Sequence, residues 1–383
     1  MALAAVTAPE GSTSVEAFPL PAETTDTGLL RVEASGVCGT DVGLVANRAL
    51  TGPTILGHHV VGRVESVGEA AASRWGVAPG DLVAVQEYLP CHACRWCRAG
   101  EFRFCDRVDL RTGGRRFGTT PVDEPPALWG GNAQYLHLPR EALVHRLPES
   151  MAATRAVWLL PLANAFDWTL EAGRLGPGEA VVVVGPGQHG LACVVAAREA
   201  GAGTVVLVGT PGDDERLALG AKIGADHTVA AAPHAVVAEV LDRLGGAGAD
   251  AVVNTSGAGP ELLATLVQLA GRRGRIVEAG LARGHAPSLD MEAITARALA
   301  VVGARGRSLQ AIDRAIVSLD TGAGPHPLDD LPSREVGLTQ LDEVLRPGGT
   351  PGGRRAVHTV VRPWSDEAGS TGRADGSRAA HDA

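Results

Sequence analysis

The chain has no apolar run long enough to cross a membrane. Its longest, such as Val181–Val184 and Val205–Val208, are strand-sized, far short of the ~20 residues a bilayer span requires. Its first residues, Met1–Ser14, lack the basic start and continuous apolar core of a secretory signal, so a cytoplasmic protein is expected. There is no excess of basic charge either. A net charge of -9 and a pI near 5.7 argue against nucleic acid or another polyanion as partner. Cysteine is scarce outside one stretch: five of the six lie between Cys38 and Cys105. The sixth, Cys193, sits in an Ala/Val-rich helical stretch and reads as a small buried hydrophobe. Clustered cysteines in a cytosolic-type chain point to metal binding or chemistry rather than to disulfides.

What is present suits a soluble enzyme. The 383 residues suffice for two domains with their own cores, and 45% hydrophobic with 20% charged residues is ordinary globular composition. Up to about residue 148 short alternating stretches recur, including Gly28–Glu33, Val60–Gly68 and Asp81–Val85, broken by turns such as Pro79-Gly80-Asp81. These predict a β-rich domain. Arg107–Leu128 is polar and interrupted by Gly and Pro, which predicts a surface loop.

The character then changes. Ala152–Gly173 predicts a helix interrupted at Pro161, and the fully apolar Ala180–Val184 predicts a strand buried in a parallel sheet. That strand runs into Gly185-Pro186-Gly187-Gln188-His189-Gly190, followed by a helix, a second apolar strand at Thr204–Val208 and a helix at Glu215–Ile223. A lone G-x-G-x-x-G says little, but between a buried strand and an apolar helix it marks a dinucleotide-binding unit. Gly185 allows the tight turn, Gly187 lets the backbone approach a pyrophosphate, and Gly190 lets helix and strand pack closely. The anion would rest on the helix N-terminus. Further alternation to Arg275–Glu278 predicts a six-stranded doubly wound sheet. Where the second strand ends, a carboxylate normally separates NAD from NADP. Here Gly209-Thr210 stand in its place, with Asp213, Asp214 and Arg216 close behind. Either aspartate can bind a ribose or favour a helix start, and Arg216 can pair with a phosphate, so the cofactor is NAD or NADP.

Four cysteines, Cys91, Cys94, Cys97 and Cys105, follow C-x2-C-x2-C-x7-C, the spacing of a closed tetrahedral zinc site. Together with Gly36-Val37-Cys38-Gly39-Thr40-Asp41, the pair Gly57-His58 and the dinucleotide unit, they make the chain resemble the zinc-containing medium-chain alcohol dehydrogenase superfamily over Ala2–Pro363. The resemblance implies an α/β architecture: a GroES-like β-rich catalytic domain at 1–155 with a structural-zinc lobe at 90–106, and a Rossmann doubly wound domain at 156–300. A return to the catalytic domain at 301–363 and a disordered tail at 364–383 complete it. It also implies a small-molecule substrate, a catalytic zinc in the cleft and a homodimer or homotetramer. Cys38 and His58 match catalytic-zinc ligands, Thr40 the proton-relay hydroxyl, and Asp41 the carboxylate that orients a ligand histidine. Gly185, Gly187, Gly190, Gly209, Thr210 and Arg216 fall on the cofactor.

The departures lie at the third ligand. The family places there a Glu just before a Pro-Leu pair, or a Cys three residues beyond that Pro. This chain has Leu160 and Asn164, and His59 replaces the Glu that usually follows Gly-His. Three readings stay open: His59 completes a Cys38, His58, His59 and water set, although neighbours on an extended segment point to opposite faces; Asn164 or Asp41 is an oxygen ligand; or no catalytic zinc is kept. The matching activities are interconversion of a secondary alcohol, polyol or cyclitol with its ketone, zinc-independent reduction of an activated C=C or C=N bond, or a catalytically silent binding role. Trp168, Trp129, Phe117, His189 and His358 are weaker candidates for the pocket or the phosphates, and Arg272 and Arg273 read as a solvated helix end.

Overall fold

The computed structural model describes residues 1–257, 260–280, 288–322, 324–346 and 356–365. The chain divides into two compact units: Met1–Cys97, Phe104–Val157 and Ser333–Ala383 form one, and Arg98–Arg103 with Trp158–Pro332 form the other.

The first unit carries β1 (Ala2–Thr7), β2 (Thr13–Phe18), β3 (Gly28–Val37), β4 (Thr54–Ile55), β5 (His59–Val67), β6 (Leu82–Val85), β7 (Tyr135–Leu138) and β8 (Val144–Arg146). β3 and β5 pair antiparallel and form the spine of its larger sheet, while β1, β2 and β4 make a small second sheet. The alternation in β3 decides its orientation: Leu30, Val32 and Ala34 are buried, whereas Arg31 and Glu33 between them are partly exposed. Leu30 and Val32 pack with Val60, Val64, Phe117, Trp129 and Leu136. Phe117 and Trp129 are therefore core residues, and the predicted surface loop is anchored inward at Phe117 and Leu128, both essentially unexposed.

The second unit holds β9 (Ala180–Val184), β10 (Thr204–Gly209), β11 (His227–Ala230), β12 (Ala249–Asn254), β13 (Ala270–Glu278) and β14 (Ala300–Gly303). They form one six-stranded sheet in the order β11-β10-β9-β12-β13-β14, with every pairing parallel. This is the doubly wound order, with β9 and β12 at its centre. Val182, Val206, Val252 and Ile276 lie in a row across the sheet and are buried. Each such side chain contributes about 1.5–3 kcal/mol by leaving water.

The chain returns to the first unit with β15 (Ser333–Val336) and β16 (His358–Val361), and β16 pairs antiparallel with β3, Val360 opposite Gly36. This return comes later than the expected 300/301 boundary, because β14 pairs with β13 and the helix Leu309–Leu319 packs on the helix Leu159–Phe166. The zinc lobe expected at 90–106 is divided as well. Residues 98–103 belong to the second unit, where Arg103 pairs with the buried Asp167. The tail expected to be disordered from 364 has an ordered start: Trp364 Nε1 donates to Val32 O at 2.9 Å and its ring meets Tyr135 edge to face. Its remainder lies outside the described residues. Among the described residues no helix is long and apolar enough to cross a membrane.

Candidate active site and metal centres

The four-cysteine lobe is assembled almost within one turn of chain. Cys91, Cys94, Cys97 and Cys105 place their sulfurs within 4.8 Å of one another. The measured pairs, 3.9 Å for Cys91–Cys97 and 3.5 Å for Cys94–Cys97, are far longer than a disulfide. They bracket the edge of about 3.8 Å that a tetrahedron with Zn–S bonds of ~2.3 Å would have. Backbone N–H groups of Ala93 and Cys94 point at Cys91 Sγ at 3.4 and 3.3 Å, and these donors lower the Cys91 thiol to about 6. Burial pushes Cys97 and Cys105 the other way. A cluster of thiols with donors aimed at sulfur fits a closed zinc site.

The second thiol region is built from three elements. Cys38 follows β3 and is the N-cap of the helix Gly39–Ala46, where Asp41 Oδ2 accepts from its backbone N–H at 2.8 Å. The other oxygen of Asp41 meets His58 Nδ1 at 3.1 Å, and Asp41 itself is buried. This one carboxylate thus fixes the backbone of Cys38 and the ring of His58 together. In the neutral ring, with Nδ1–H donated to Asp41, Nε2 is the lone-pair nitrogen. Burial alone would lower the His58 pKa, but the Asp41 charge and hydrogen bond, joined by Cys38, hold it well above the ordinary value. Thr40, exposed, places its hydroxyl 3.7 Å from Cys38 Sγ.

His59 opens β5 and stands opposite Gly36 of β3. Its ring meets that of His58 edge to face, with centroids 4.5 Å apart, and one of its nitrogens lies within 4.8 Å of Cys38 Sγ. His58 precedes the strand, just after Gly57 with its φ of +90°, so the alternation of an extended segment does not govern this pair. Gly36 is needed for the approach: a Cβ there would stand 3.2 Å from His59 Cβ and 3.0 Å from His358 Cε1. His358, by sequence a candidate for the pocket or the phosphates, is instead buried on β16 against Gly36, and burial lowers its pKa to about 3. Only the pairing of β16 with β3 brings it there, and no local motif signals that register.

Asn164 and Leu160 belong to the second unit, on the helix Leu159–Phe166, and both are buried. Asn164 Oδ1 accepts from Arg307 Nε at 2.8 Å, so its amide nitrogen faces His189 Nε2 at 3.0 Å. The amide is thereby oriented, and His189 Nε2 is the acceptor of that contact. The ring of His189 lies against Trp168 with centroids 5.1 Å apart, and Trp168 Nε1 donates to Gly306 O at 3.0 Å. By sequence His189 and Trp168 are unconnected candidates, and Arg307 is not among them. A buried arginine beyond β14 carries no sequence signature, since its partner is 143 residues away.

The dinucleotide turn has the geometry its glycines require. Gly185 has φ +100°, and a Cβ on Gly190 would overlap the carbonyl oxygen of Gly185. The helix Gln188–Glu199 starts at Gly187 with no side chain capping it, and a helix N-terminus favours an anion. Beside it is a cavity of 310 Å³ lined by Gly185, Gly187, Gly209, Thr210, Asp213 and Ser256, among others. Gly190 lies behind the turn, and Arg216 reaches towards Gly187, its Nη1 4.0 Å from where a Cβ would be.

Known proteins agree with this architecture. Residues 25–149 match the alcohol dehydrogenase GroES-like domain and residues 190–320 the zinc-binding dehydrogenase domain. A protein of Mycobacterium tuberculosis named a probable alcohol dehydrogenase is 36% identical over 355 residues, 91% of this chain and 95% of its own. The erythritol/L-threitol dehydrogenase of Mycolicibacterium smegmatis is 30% identical, covering 86% of this chain and 90% of that one. A solved zinc-binding dehydrogenase of Sinorhizobium meliloti, bound to NADP, is 28% identical with a TM-score of 0.81, covering 95% of this chain and 99% of that one. With both domain types in place and a relative of this identity matched along nearly its whole length, the chain belongs to the zinc-containing medium-chain alcohol dehydrogenase superfamily and is a nicotinamide-dependent oxidoreductase.

Proposed function

We propose that this enzyme interconverts a secondary alcohol, polyol or cyclitol with its ketone, and that Cys38, His58 and His59 hold a catalytic zinc with one position open to the substrate. The observation that carries the reading is the Asp41 brace. A buried carboxylate accepts from the backbone N–H of Cys38 and meets Nδ1 of His58, and a nitrogen of His59 lies within 4.8 Å of Cys38 Sγ, so thiolate and imidazole donors of the kind zinc takes stand close by. The oxygen alternatives are poorer. Both oxygens of Asp41 are engaged with Cys38 and His58, and Asn164 Oδ1 is engaged by Arg307.

Zinc in that set supplies a Lewis acid that favours the ionised form of the substrate hydroxyl, and the nicotinamide supplies the hydride acceptor. The protein's own residues do the rest. Asp41 keeps His58 in the tautomer whose Nε2 faces away from the carboxylate. Thr40, exposed and next to Cys38, receives the hydroxyl proton and passes it towards solvent. On the other unit the turn Gly185–Gly190 and the uncapped helix receive the pyrophosphate. The four-cysteine lobe holds a second, structural zinc.

A panel of alcohols, polyols and ketones, assayed with NAD and NADP and repeated with Cys38→Ala, tests this reading. Alcohol-dependent cofactor reduction by the parent protein that disappears in Cys38→Ala is expected. Activity confined to activated double bonds and indifferent to Cys38→Ala would instead identify a zinc-independent reductase.

A further inference from the structure

The second strand of the dinucleotide unit, β10, ends on Gly209 without a carboxylate, which by sequence leaves NADP admissible. The fold restores the carboxylate from elsewhere. Asp213, N-cap of the helix Asp214–Lys222, folds back on the strand end: its Oδ2 accepts from the backbone N–H of Thr210 at 2.9 Å and from Thr210 Oγ1 at 2.7 Å. Its own N–H donates to Thr210 O at 3.0 Å and closes the turn. The side chain consequently lies over Gly209, where a Cβ would stand 3.0 Å from Asp213 Cβ and 3.2 Å from Asp213 Oδ2. The carboxylate occupies the space that a side chain on the last strand residue would fill, and it lines the 310 Å³ cavity with Gly209 and Thr210. Oδ1 makes no hydrogen bond among the described residues.

We propose that Asp213 is the specificity-determining residue for the cofactor, binding the adenosine ribose hydroxyls through Oδ1 and selecting NAD over NADP. The inference rests on the nicotinamide reading above. A ribose 2′-hydroxyl donates to the carboxylate, whereas a 2′-phosphate would bring like charge against it in a partly enclosed pocket. The Asp213 carboxylate is fixed by two hydrogen bonds to Thr210, so moving aside would break the turn. Arg216 approaches Gly187, its Nη1 4.0 Å from where a Cβ there would stand. It is placed to serve the pyrophosphate, which both cofactors share.

The test is titration of the zinc-replete full chain with NADH and NADPH, followed by nicotinamide fluorescence, without any need for the substrate. The parent protein is expected to bind NADH about tenfold or more tightly than NADPH. Asp213→Ser and Asp213→Asn both keep an acceptor for the Thr210 turn. Each should lower the NADH preference by about tenfold or more, while Arg216→Gln weakens both cofactors by the same factor. A parent protein that binds NADPH as tightly as NADH overturns the assignment. So does a preference unchanged in both folded Asp213 variants, or a loss in Arg216→Gln confined to NADPH. If the parent binds neither dinucleotide, the nicotinamide reading itself fails, and this inference with it.

Discussion

The two thiol regions of the first unit are built on opposite plans. The four cysteines of the lobe all lie within Cys91–Cys105, and its sulfurs take hydrogen bonds from the lobe's own backbone. Cys38, His58 and His59, the set proposed for the catalytic zinc, come from the residue after β3, the residue before β5 and the start of β5, so their placement depends on the register of a sheet and on one buried carboxylate. A local set is specified by spacing alone. A distributed set depends on residues that the fold happens to bring near, as it brings His59 to Cys38.

That contrast can be broken in several ways, beginning with the largest effect. Cys38→Ala should lower kcat/KM by about a thousandfold or more while the lobe keeps its zinc and the thermal transition hardly moves. Cys97→Ala should do the reverse: loss of the lobe's zinc and about 3 kcal/mol or more of stability, seen by denaturant unfolding with metal counted in parallel. Thr40→Ala should retain both metals and lose about a hundredfold in kcat. His59→Ala should weaken zinc at the Cys38 region by about a hundredfold, measured by competition with a chelator, whereas Asn164→Ala should leave that affinity unchanged. Equal effects from His59 and Asn164 would mean that the distributed set is wrongly drawn.

The smallest effect is one of pH. Burial lowers His137, packed against Trp129, to about 4. Its folded pKa lies below the unfolded value of about 6.5, so the unfolded chain binds the proton first. The first unit should then lose up to about 3 kcal/mol of stability as pH falls from about 6.5 to 4, with no contribution above that window. His137→Gln should flatten the slope, as urea midpoints over this range would show.

How much of this was legible in the sequence follows the same division. The order strand, glycine turn, helix, strand around Gly185–Gly190 and the spacing of Cys91–Cys105 are local patterns, and the doubly wound sheet and the thiol cluster follow from them. The unit boundary did not follow from pattern. Residues 301–332 stay with the second unit because β14 pairs with β13, a long-range choice that composition does not encode. Strand alternation sends His58 and His59 to opposite faces, but β5 begins only at His59, so that rule does not reach His58. Asp213 was visible as a helix-start aspartate, yet its placement over Gly209 needs the closed turn. Phe117 and Trp129 looked like cleft residues because their loop is polar around them, but their bulk fills the core beneath β3 and β5.

If Cys38, His58 and His59 hold a metal apart from the four-cysteine lobe, zinc counted per chain will differ between the parent protein and Cys38→Ala. Two zinc ions in the parent and one in the variant are expected, the survivor removed only when Cys97 is also replaced. A parent protein with a single zinc, lost in Cys97→Ala and untouched in Cys38→Ala, would contradict it.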